Sequence, residues 1–138
     1  MQTVRLWSRG LTPRGRLTFR WTAAGLSLAC AVVYTLIGTG TIQVVTGDQA
    51  GLDAFGSLSA AAFAFGAALL FITDRRPFWA LGACFQVFAI AMYFAVAPQR
   101  TPSYEVWGLG LKVLQAAILV LLVALALPAR GTTAPRRR

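Results

Sequence analysis

Histidine is absent from this chain and lysine occurs once, at Lys112. Without histidine, His-ligated haem is excluded and most zinc or iron sites lose their usual ligands, so no metal and no other cofactor is expected. The two cysteines, Cys30 and Cys84, form no Cys-x-x-Cys pair, which disfavours membrane thiol oxidoreductase chemistry. Acidic residues number only 4, and charged residues of both signs make up 12% of the 138 positions. A soluble domain carries roughly 25% charge; this chain lacks the polar surface that water demands. What it has instead is 57% hydrophobic residues, gathered in four long runs with short polar breaks between them.

Each run approaches the roughly 20 residues that a bilayer requires. The spacing predicts four transmembrane helices over about 21–45, 54–73, 78–97 and 105–127, packed as a compact antiparallel all-α bundle in one domain. Residues 1–20 read as a basic cytoplasmic arm and 128–138 as a basic cytoplasmic tail. Pro77 falls where a third helix begins and where its missing N–H costs nothing. The first run is too long for the core of a signal peptide and closes on no small-x-small cleavage site. "LSLAC" departs from a lipoprotein cleavage box at Ser27, and the apolar run continues past Cys30.

The net charge of +9 raises the question of nucleic acid, and placement answers it. The basic residues precede the first run (Arg5, Arg9, Arg14, Arg16, Arg20), follow the last (Arg130, Arg136, Arg137, Arg138), or occupy the middle break (Arg75, Arg76). The first and third breaks hold only Arg100. By the positive-inside rule, both termini and the middle break lie in the cytoplasm and the chain is a multi-pass protein of the cell inner (plasma) membrane. The Arg clusters suit anionic lipid headgroups, and no nucleic-acid partner is expected. The preference for Arg over Lys, with abundant Ala, suggests a GC-rich bacterial genome.

The second run has a stripe of small residues at a spacing of four, Gly56, Ala60, Ala64 and Ala68, with Gly66 beside it. Small stripes let helix backbones approach closely in lipid, so a central helix is expected, with Phe63, Leu69, Leu70 and Phe71 facing lipid. Trp21, Trp79, Trp107, Tyr93 and Tyr104 are expected near the membrane interfaces. Two hairpins show a gapped echo, in which Trp21, Gly25, Cys30 and Tyr34 recur as Trp79, Gly82, Cys84 and Tyr93. The same order arises independently from interfacial placement of Trp. Cys30 and Cys84 fall at similar depth as candidate neighbours, with small-residue packing as their ordinary use.

Lys112 is the anomaly, an ammonium about two turns inside the fourth run. Residues three, four and seven apart share a helix face, which groups Lys112 with Glu105, Gly108 and Gln115. The opposite side, Leu111, Leu114, Ile118, Leu121, Leu122 and Leu125, suits lipid. A polar layer is expected in the outer leaflet, formed by Lys112, Gln115, Tyr93, Gln43 and Thr41, with Asp53 and Asp48 as counter-ions ahead of Glu105. Gln86 is expected to make an interhelical hydrogen bond. The layer admits three readings: a snorkelling or structurally paired lysine, a site for an anion or lipid headgroup, or a contact to another subunit.

Absent catalytic motifs and short loops favour a non-enzymatic protein, an accessory or structural subunit of a larger membrane complex, with a protein partner in the membrane or a second copy of itself. The alternative is a small homo-oligomeric transporter or channel with an outward-facing site around Lys112. In size the chain is similar to small multidrug-type transporters, which rely on a buried carboxylate in the first span. That span has none here.

Overall fold

A computed structural model describes residues 12–44, 49–100 and 102–127. Those residues form four long helices and no strand: α1 (Pro13–Gly38), α2 (Gln49–Ile72), α3 (Arg76–Val96) and α4 (Val106–Ala126), with a single 3₁₀ turn at Ala97–Gln99 before α4. All four are long and apolar enough to cross a membrane.

Local chemistry sets the bounds of α1, which differ from those expected of the first run. Thr12 caps the helix, its Oγ1 accepting from the Gly15 N–H at 3.1 Å, and Pro13 takes the first position. Residues 13–20 are therefore helical rather than part of an arm. At the far end the helix stops at Gly38, because Gly40 adopts a left-handed φ of 70°. The Gly40 N–H then reaches the Ile37 carbonyl, and that of Ile42 reaches Leu36, so the orphan carbonyls of the last turn are satisfied.

Helix α1 packs on α2 and on α4, and α3 packs on α4. Among the described residues α2 and α3 make no comparable contact, so the bundle runs α2–α1–α4–α3 and is open on its fourth side. Two arginines bind the end where α1 begins. Arg16 pairs with Asp74 at 2.9 Å and donates to the Leu125 carbonyl at 3.3 Å. Arg20 donates twice to the Leu70 carbonyl and once to Phe71, and stacks 5.9 Å from the Trp79 ring centre. These guanidiniums satisfy the last carbonyls of α2 and α4, where the helix dipole also favours a cation.

Several expected faces are turned. Phe63 and Leu70 belong to the core rather than the exterior, with Ala67 beside them. Gly56 is buried, Ala60 and Gly66 are half-buried, and Ala64 and Ala68 are exposed. The reason is geometric: at 3.6 residues per turn a spacing of four advances about 40° per step, so the stripe winds from the α1 contact at Gly56 to the outside at Ala68. On α4, Leu111, Ile118, Leu122 and Leu125 are buried as well as Lys112 and Gln115, because α4 lies between α1 and α3 and needs two inward faces. Trp21 is 61% exposed but Trp79 only 2%; Arg20 covers it. Cys30 is buried, Cys84 is exposed, and both are free thiols.

Candidate functional site

Lys112, with a relative exposure of 8%, is the centre of a buried polar cluster in the half of the bundle away from Asp74; the other buried polar residues, Ser27 and Gln86, lie apart from it. Its Nζ donates to Gln115 Oε1 at 2.6 Å and to the Tyr34 hydroxyl at 3.5 Å. Gln115, fully buried, donates its Nε2 to the same hydroxyl at 3.1 Å. The Tyr93 ring lies beneath the ammonium, 5.0 Å from Nζ to centroid; a desolvated cation there gains from the ring quadrupole. Lys112 and Gln115 meet because residues three apart share a helix face, and Tyr34 joins them because it lies about one turn from the end of α1.

Gly108 makes room for Tyr93. A β-carbon at Gly108 would lie 2.6 Å from Tyr93 Cε2, 2.7 Å from its hydroxyl and 2.5 Å from Glu105 Oε1. The Tyr93 hydroxyl and Glu105 Oε2 are buried without a hydrogen-bond partner in the structure, as is Asp53 Oδ1.

Of the residues expected in this layer, Lys112, Gln115 and Tyr93 are brought together, with Glu105 at the rim. Thr41 and Gln43 lie past the end of α1 and are exposed; Thr41 instead shares a 3.0 Å hydrogen bond with Thr39. No ion pair joins Lys112 to Asp53 or to Glu105 among the described residues, and Asp48 lies outside them. Gln86 is buried, but its Oε1 finds no partner. Sequence reasoning missed Tyr34 as the hub of the network. Its signal was the stop at Gly40, which shifts the whole of α1 toward the N-terminus and raises Tyr34 to the level of Lys112.

Beside this network the open side of the bundle forms a chamber of about 440 Å³, with Tyr34, Tyr93 and Lys112 in its wall. A second chamber of about 390 Å³, lined by Trp79 and Gln86, continues toward the Asp74 end. Phe63 and Phe85 line both, edge to face at 6.2 Å, and make a waist between them.

No protein family, curated protein or solved structure matches this chain.

Proposed function

We propose that this chain is a multi-pass plasma-membrane protein, both termini cytoplasmic, which performs no reaction of its own and serves as an accessory subunit. It docks to a transmembrane helix of another protein through the outer face of α2. The observation that carries this reading is a row of exposed small residues on α2: Ala54, Ser57, Ala61, Ala64 and Ala68. Their spacings of three and four put them on one face, turned away from the chambers; Ser57, at its edge, lies against Gly38 of α1. The other helices expose small residues as well, Gly25 and Ala29 on α1 among them, but in shorter rows and beside bulky ones, with Leu81, Val106, Val113 and Val120 all more than half exposed. Lipid accepts Ala and Leu alike, but only a small face lets a second backbone come close.

Two further observations support the membrane setting. The helix exteriors are apolar all round, which water does not tolerate at this extent. The described charge is also polarised: Arg14, Arg16, Arg20, Arg75 and Arg76 gather at the Asp74 end, against Arg100 alone at the other, as a cytoplasmic and an external end require.

The test is the size of the complex extracted from native membranes in mild detergent. The wild-type chain should migrate with a larger partner, and Ala61→Leu with Ala64→Leu should release it as a folded monomer. A wild-type monomer or simple homodimer would overturn the accessory role.

A further inference from the structure

The outer chamber has an apolar mouth and a basic wall. Its lips, Leu58 on α2 and Phe88 on α3, are exposed, so in a membrane the chamber opens sideways to acyl chains. A volume near 440 Å³ falls within the range of small-molecule sites.

The donors in its wall exceed the acceptors. An ammonium has three N–H donors; Lys112 uses one on Gln115 and one on Tyr34. The Tyr34 hydroxyl accepts from both Lys112 and Gln115, which leaves its own proton free. The Tyr93 hydroxyl, on a residue with 9% exposure, is buried in the same wall without a partner. Three O–H or N–H groups thus stand unanswered around one space, against one unanswered acceptor, Glu105 Oε2. Lys112 and Arg100 face a single carboxylate there, that of Glu105, and no ion pair neutralises either cation among the described residues. The wall is left with one positive charge in excess.

We propose that this chamber binds a single-chain fatty acid from the bilayer. Its carboxylate accepts from Lys112 Nζ and the Tyr93 and Tyr34 hydroxyls, and its chain leaves between Leu58 and Phe88 over the Phe63–Phe85 waist. A carboxylate's single charge matches the excess, and its two oxygens offer about four acceptor sites. A phosphate monoester carries nearly two charges at neutral pH and would meet Glu105. The proposal rests on the membrane setting given above but not on the docking face of α2, which lies on another side of the helix.

The test is photolabelling of the full-length protein, in detergent and in phosphatidylcholine vesicles, with a palmitic acid analogue bearing a mid-chain diazirine. The neutral alcohol of the same chain serves as control. The acid should label residues of α2 and α3 around the chamber, with saturation and with displacement by unlabelled palmitate; the alcohol should not. Lys112→Met should weaken labelling by tenfold or more, as loss of a charge-assisted bond implies. Tyr93→Phe should weaken it several-fold, and Glu105→Gln should strengthen it. The two milder variants decide the matter even if Lys112→Met fails to fold. Equal labelling by acid and alcohol, labels scattered over all four helices, or Tyr93→Phe and Glu105→Gln without effect would overturn the proposal. Displacement by lysophosphatidic acid but not by palmitate would overturn it too, in favour of a phosphate headgroup. A complex of unchanged size in these variants keeps the outcome separate from the accessory role.

Discussion

Gly38 and Gly56 lie backbone against backbone: a β-carbon added to Gly56 would sit 2.7 Å from both the Cα and the nitrogen of Gly38. Neither atom is at the end of a flexible side chain, so α1 and α2 would have to separate. Gly56→Ala should therefore lower stability by about 1–3 kcal/mol, the usual range for overpacking. Gly110 has nothing within 4 Å of its notional β-carbon, and Gly110→Ala should be neutral or stabilising by up to about 1 kcal/mol. Thermal unfolding in detergent of the two variants checks the contrast.

Arg20 joins α1 to the last turn of α2 through a forked contact, both Nε and Nη2 donating to the Leu70 carbonyl, at 3.0 and 2.8 Å. A lysine offers one point charge and cannot reproduce the fork. Arg20→Lys should cost about 1 kcal/mol and Arg20→Met about 1–3 kcal/mol, the range for hydrogen bonds to charged groups. Loss of the guanidinium also uncovers Trp79, so a red shift in Trp79 fluorescence should accompany Arg20→Met.

Asp74 lies outside the helices, where the hydrogen bond and charge of Arg16 hold its carboxyl below the ordinary range. A carboxyl with a depressed folded pKa stabilises the fold above its unfolded pKa of about 3.9 and loses that contribution as pH falls through the folded value. The Asp74 side chain is 46% exposed, so the contribution is under about 1 kcal/mol. Asp74→Asn should melt slightly below wild type at pH 7, with the gap closing below about pH 4 and shrinking in high salt.

The Tyr34 hydroxyl, in the chamber wall, is the acceptor for the buried Gln115 amide. Tyr34→Phe leaves that amide without this partner, and a stranded buried donor costs about 1–3 kcal/mol. Tyr34→Phe combined with Gln115→Leu should not recover the loss, because Lys112 Nζ donates to both side chains and a buried charge stripped of its partners is costly. A double-mutant cycle on thermal stability reads the coupling.

Much of this architecture was legible in the sequence and some of it was not, for physical reasons. The four runs and the association of Lys112 with Gln115 follow from hydropathy and a spacing of three, which are local properties. The ends of α1 were also written locally, in Thr12-Pro13 and in Gly40, but an apolar run that extends past a helix stop hides it. Which face of α2 or α4 turns inward was not legible, since a helix that is apolar all round has no hydrophobic stripe to orient it. Phe63 and Ala64 are adjacent; only the Gly38–Gly56 approach decides that the first faces in and the second out. The Arg16 and Arg20 contacts join carbonyls far along the chain, and charge counting alone assigns those residues to a surface.

The accessory role stands on the exposed small face of α2, and cysteine cross-linking in native membranes probes that face directly. With Cys84→Ser as background, Ala61→Cys and Ala64→Cys should each form an adduct with one partner protein. Leu81→Cys, on the exposed side of α3, should form none. Adducts at all three positions alike, or at none, would contradict docking through α2.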